Sequence, residues 1–149
     1  MKNFLTLILT GLTVAGCAIT PTFPRVDENK GARIKVIGEG KLSLIQRFKD
    51  YKLTSEGDGE YIVPAGIRVA IKNSFEEGGG SPSPYVHTYI KCAPALSFIP
   101  EAGAHYIVSS QLVTSGTCRI YLFKLNPNSP TGIEFEPSVD HAYFNMPSD

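Results

Sequence analysis

The sequence predicts an all-β protein, a single antiparallel β-sandwich or small barrel of about seven to eight short strands. Three observations carry that expectation. Apolar and polar residues alternate in short runs, as in Ala32-Arg33-Ile34-Lys35-Val36. Clusters of Gly, Pro, Asn, Asp and Ser punctuate those runs at short intervals. No segment keeps a helical apolar period for more than about two turns.

Taken in order, Ala32, Ile34 and Val36 face one way and Arg33 and Lys35 the other, which predicts a half-buried first strand. Gly38-Glu39-Gly40 turns the chain into a second strand, Lys41–Gln46, with Leu42 and Leu44 opposed to Ser43 and Ile45. Residues 47–54, with Phe48, Tyr51 and Leu53, fit a strand or a short helical turn. Ser55-Glu56-Gly57-Asp58-Gly59 is turn chemistry ahead of a short strand over 60–63. After Pro64-Ala65-Gly66, the residues Ile67, Val69 and Ile71 share a face opposite Arg68, Ala70 and Lys72. Residues 74–84, which include Glu76-Glu77-Gly78-Gly79-Gly80, read as a flexible loop.

A strong strand follows over 85–92, with Val86, Thr88, Ile90 and Cys92 on one face and Tyr85, His87, Tyr89 and Lys91 on the other. Strands over 95–99 and His105–Val113 flank the turn Pro100-Glu101-Ala102-Gly103. Cys118, Ile120 and Leu122 then point inward, and Arg119, Tyr121 and Phe123 outward. Residues 126–149 contain Pro127, Pro130, Pro137 and Pro147 and read as a coil-rich tail, in which Ile133-Glu134-Phe135-Glu136 alternates as one edge strand.

The N-terminus has a different logic. Met1-Lys2-Asn3 is a short positive start, and residues 4–14 are an apolar run interrupted by Thr and Gly. A membrane-spanning helix needs about 20 apolar residues, whereas a secretory signal core needs ~7–15. The run therefore suits export, although a buried N-terminal helix is the competing reading. Small residues close the run, and a cysteine follows at once. Val14-Ala15-Gly16-Cys17 resembles the lipobox of bacterial lipoproteins.

That resemblance implies that residues 1–16 are a signal peptide to be removed. It implies that Cys17 becomes the new N-terminus and carries a diacylglyceryl group, with palmitate-type chains holding the protein on a membrane. Ala18, where inner-membrane lipoproteins usually have Asp, implies the outer membrane, facing the periplasm, in a Gram-negative source. Residues 17–31, with Pro21 and Pro24, then form a lipidated tether; fully extended, the chain from Ala18 to Gly31 would span at most about 45–50 Å. Residues 32–125 form the sandwich and 126–149 the tail.

Cleavage would leave roughly 130 residues, enough for one domain with its own core. With Cys17 assigned to lipid, Cys92 and Cys118 remain. An even pair in an exported chain reads as a disulfide. A metal or redox site is the alternative, but no C-x-x-C is present and histidine would have to help.

A second resemblance rests on two hairpin sequences. Tyr61-Ile62-Val63-Pro64-Ala65-Gly66-Ile67-Arg68-Val69 and Ser97-Phe98-Ile99-Pro100-Glu101-Ala102-Gly103-Ala104-His105-Tyr106 resemble the strand–turn–strand units of PEGA-like, transthyretin-like sandwich domains in small envelope lipoproteins. The resemblance implies a sandwich and no particular activity.

The chain has 14 basic and 14 acidic residues, so no basic field exists to attract nucleic acid. His87, His105 and His141 have no metal-ligand spacing, and no cofactor is implied. Ser109, Ser110, His105 and Asp140 would be the parts for a nucleophilic site, but no G-x-S-x-G turn presents a serine. Gly78-Gly79-Gly80 is followed by Ser-Pro-Ser-Pro and lacks the Gly-Lys-Ser/Thr of a phosphate loop. Glu76-Glu77 has no calcium-ligand spacing.

Outward aromatics are the remaining signal. Tyr85, Tyr89, Tyr121 and Phe123 would form a partner-binding patch if their strands were neighbours, although the tail could equally cover them. The expectation is a non-catalytic, lipid-anchored envelope protein that presents a β-sandwich to a protein partner or to the cell-wall zone. A periplasmic inhibitor or small-ligand-binding lipoprotein and an accessory lipoprotein of a secretion machine are the alternatives.

Overall fold

In the computed structural model, which describes residues 19–47, 49–79, 88–113 and 117–141, the alternating runs become eleven strands. They are β1 (Gly31–Ile37), β2 (Lys41–Gln46), β3 (Lys49–Lys52), β4 (Ser55–Gly57), β5 (Glu60–Pro64), β6 (Val69–Gly79), β7 (Thr88–Cys92), β8 (Ala95–Phe98), β9 (His105–Val113), β10 (Thr117–Leu125) and β11 (Ile133–Phe135). A six-stranded sheet has the order β11-β10-β9-β1-β5-β4. A five-stranded sheet has the order β3-β2-β6-β7, and β8 also pairs with β6. The sheets remain separate and do not close into a barrel, so the fold is a sandwich. Among the described residues, the strands pair antiparallel except β1 and β9, which run parallel. These two strands start at the same end of the sandwich, and the intervening chain returns through the other sheet.

The period-2 pattern accounts for the core. Ala32, Ile34 and Val36 of β1 point inward beside Tyr61 and Val63 of β5, Tyr106 and Val108 of β9, and Ile120 and Leu122 of β10. Leu42 and Leu44 of β2, Val69 and Ile71 of β6, and Leu96 and Phe98 of β8 meet them from the opposite sheet. Phe98 and Tyr106 pack edge to face across the gap, with ring centroids 5.2 Å apart. The Glu101 N–H donates to the Tyr106 hydroxyl at 3.0 Å, so this buried phenol is satisfied at its polar tip.

Two ends can be defined from the strand registers. At the first, Gly31 lies opposite Pro64, Arg33 beside His105, and Val69 opposite Phe98. Turns 65–68 and 99–104 cross between the sheets here, joined by a hydrogen bond from the Gly66 N–H to the Pro100 carbonyl at 2.8 Å. Ile45 pairs with Ala70, which brings the β2–β3 turn at Arg47 to this same end. The second end holds Ile37, the far part of the β6–β7 ribbon, and the Cys92–Cys118 pair.

Several expectations are corrected. Residues 74–79 are not loop: β6 runs on to Gly79, and Phe75 through Gly79 pair with Cys92 through Thr88. Ladder hydrogen bonds use the backbone alone, so glycines there do not prevent pairing. Residues 80–87 lie outside the described residues. Ile67 does not share the inward face of Val69 and Ile71: it is 55% exposed in the turn before β6 begins. Residues 49–52 take the strand option, because β3 completes a hairpin with β2.

The stretch read as a tether is bound to the domain from Pro21 onward. The Lys52 N–H donates to the Pro21 carbonyl and the Phe23 N–H to the Lys52 carbonyl, each at 2.8 Å. Phe23 packs edge to face on Tyr51. Arg25 then reaches Glu56 of β4 at 3.0 Å, so this segment spans the gap between edge strands β3 and β4 of the two sheets. The tail does the same on the other side. After β11, Asp140 exchanges backbone hydrogen bonds with Ser97 of β8 at 2.9 and 2.7 Å, and Ser138 accepts from the Ile99 N–H.

Candidate functional site

Cys92 and Cys118, both expected on inward faces, come together as a disulfide pair with Cα atoms 5.8 Å apart. Cys92 ends β7 in one sheet and Cys118 begins β10 in the other, so the bridge joins the two layers at the second end. Cys92 is buried and Cys118 half-buried. A groove flanks each sulfur. One, of about 530 Å³, is lined by Gly40, Lys41, Phe75, Glu76, Lys91 and Cys92 among others. The second, of about 500 Å³, is lined by Thr117, Cys118, Arg119, Ile120, Tyr121 and His141. Glu76 and Lys91 form an ion pair at 3.3 Å beside the first groove.

The strands of the aromatics expected to face outward are not neighbours. β7 pairs with β6, and β10 with β9 and β11, because each is the second arm of its own hairpin. Tyr121 and Phe123 therefore belong to one sheet and Tyr89 to the other, while Tyr85 lies outside the described residues. Phe123 is half-buried against Phe135 of β11, with centroids 5.1 Å apart, so the tail covers it in part. Tyr121 lines the second groove, and its hydroxyl accepts from Gln111 Nε2 at 3.2 Å. Hydrogen bonds from Arg119 and then Gln111 hold that hydroxyl below its ordinary ionisation range.

The fold separates the candidate serine from the candidate histidine. His105 begins β9 and Ser109 lies four residues along the same strand, roughly 13 Å away. Ser110 pairs with Ile120, and Asp140 is bound to Ser97 in the other sheet. Among the described residues, no group of three or more His, Cys, Asp or Glu could hold a metal ion. His87 and Cys17 lie outside the described residues.

The sheet edges are the remaining reactive feature. β4 and β11 are three-residue edges, and the β4 ladder shifts register. β3 is bridged by Thr22, and β8 by Asp140. β7, five residues long, is hydrogen-bonded to β6 alone among the described residues. Sequence reasoning missed this ranking. It also missed Phe23 and Ser138 as edge-covering residues. The signal for Phe23 was a lone aromatic between Pro21 and Pro24. No family model matches the chain, and no curated protein or solved structure matches it.

Proposed function

We propose that this chain is a non-catalytic, lipid-anchored cell-envelope protein that presents its β-sandwich to a protein partner on the periplasmic side of the outer membrane. The observation that carries the reading is Val14-Ala15-Gly16-Cys17 directly after an apolar run of signal length. The Cys92–Cys118 pair supports it, since disulfides persist in oxidising compartments. Acyl chains fix position: each buried methylene contributes ~0.8 kcal/mol, and two chains anchor stably where one does not.

The contact mode that suits the fold is strand addition at β7. An edge strand offers a row of backbone donors and acceptors, and affinity comes from extending the ladder. The grooves on either side of the disulfide would then take side chains of the added strand.

The test is fatty-acid labelling of cells expressing the full chain and its Cys17→Ala variant. Label on the wild type, lost together with membrane retention in the variant, is the expected result. Equal labelling of both would overturn the proposal.

A further inference from the structure

Four of the exposed large apolar side chains lie at the first end of the sandwich. Ile19 is 85% exposed, Ile67 55%, Ile99 40% and Leu125 41%. Ile67 and Ile99 sit in the two turns that the Gly66–Pro100 hydrogen bond joins. Leu125 follows Lys124, which pairs with Tyr106 near the start of β9. Ile19 lies in a recess with Thr20, Pro21, Lys49 and Asp50, at the start of β3. Exposed Arg47 and Lys49 flank it. The acidic groups at this end have partners: Glu28 pairs with Arg33, Asp50 with Lys72 and Glu101 with Lys124, and Glu134 lies opposite Lys124 and accepts from Asn126. Their negative charge is offset, while Arg47 and Lys49 add positive charge to an apolar rim.

The chain also enters the fold at this end. Among the described residues, Pro21 is the first held by a backbone hydrogen bond to the sandwich, through the Lys52 N–H. Only four residue steps separate Pro21 from Cys17, a reach of at most about 14 Å. A tether running freely to Gly31 would let the domain stand well clear of a bilayer. The docked segment leaves far less chain, so whatever holds Cys17 holds the Ile19 end close to it.

We infer that this end is a lipid-contacting surface, with Ile19, Ile67 and Ile99 entering the headgroup boundary while Arg47 and Lys49 lie against anionic headgroups. The inference rests on the lipid-anchor reading of Cys17. Apolar side chains flanked by cations are the combination that binds an interface of anionic lipid, to a depth of about 5–10 Å. The orientation follows from the covalent limit and from where the exposed isoleucines lie. It turns the β6–β7 ribbon and the Cys92–Cys118 end away from the membrane.

The chain contains no tryptophan, so a single introduced one reports its own position. Ile67→Trp and Ile37→Trp place the probe at exposed sites on opposite ends, with Ile37 at 51% exposure as the matched control. Each variant, purified as the full lipidated protein, is reconstituted into vesicles of phosphatidylglycerol and phosphatidylethanolamine with brominated acyl chains. Bromine quenching of Ile67→Trp is expected to exceed that of Ile37→Trp by roughly threefold. The mass of the N-terminal peptide is measured on the same samples. Equal quenching, or stronger quenching of Ile37→Trp, in protein carrying the diacylglyceryl mass would overturn this orientation and leave the anchor standing. A peptide without that mass would overturn both.

Discussion

Removing the Cys92–Cys118 bridge is the perturbation whose effect can be worked out most directly. The two cysteines are 26 residues apart in sequence, and they join β7 of one sheet to β10 of the other. Closing a loop of that length takes away unfolded-state entropy equivalent to about 3.5 kcal/mol at room temperature. A domain of this size loses roughly 3–4 °C of Tm per kcal/mol, so the bridge accounts for about 10–14 °C. The double variant Cys92→Ala/Cys118→Ala should show that drop by calorimetry. Reductant should lower the wild type by a similar amount and leave the variant unmoved. The loss should fall first on β7, whose ladder is with β6 alone among the described residues, and amide exchange there should accelerate before exchange in β1. A Tm change under about 2 °C would refute the entropic argument. Two titratable thiols in unreduced, denatured protein would refute the bridge itself.

Two further predictions test local packing and electrostatics. Gly40→Ala should destabilise by about 2–4 kcal/mol in urea unfolding, because Gly40 has φ +145° and an added methyl would stand 2.3 Å from the buried Asn73 Oδ1; Gly38→Ala, with φ +88° and open space around it, should retain the conformational part of that cost without the clash. Burial pushes the Tyr106 hydroxyl above its ordinary value of about 10, outweighing the Glu101 N–H that donates to it. The unfolded chain then ionises first, so this contribution is complete below pH ~10 and is lost as pH rises through the higher folded value. Lys124, raised by its bond to Glu101, acts in the same direction. Unfolding followed from pH 8 to 11 should fall more steeply in the wild type than in Tyr106→Phe, and parallel curves would contradict the assignment.

If the first end lies on lipid, the second end becomes the presenting end. It carries β7, a five-residue edge strand that lacks a bridging cover among the described residues, and the disulfide pins the end of that edge to the opposite sheet. An edge fixed in place loses less entropy when a partner strand adds to it. The terminal segments complete the arrangement by blocking β3 and β8, where unwanted pairing would otherwise compete.

The sequence by itself determined what depends on neighbours within a few residues. Alternation at Ala32, Ile34 and Val36, at Leu42 and Leu44, and at Ile120 and Leu122 specified strands and their buried faces, because side chains in extended backbone have period 2. Turn residues marked most strand ends, and the matching inward phases of Cys92 and Cys118 marked the pair that the fold brings together. The edge strand over Ile133–Phe135 was legible for the same reason. Tertiary structure decided what depends on which backbone lies alongside which. It separated β7 from β10 and so divided the aromatic residues between two sheets. It continued β6 through Gly79, since ladder bonds ignore side-chain chemistry. It docked Pro21 and Phe23 on β3 and bound Asp140 to Ser97. Those contacts join distant parts of the chain through main-chain groups that every residue carries, and no local pattern encodes them.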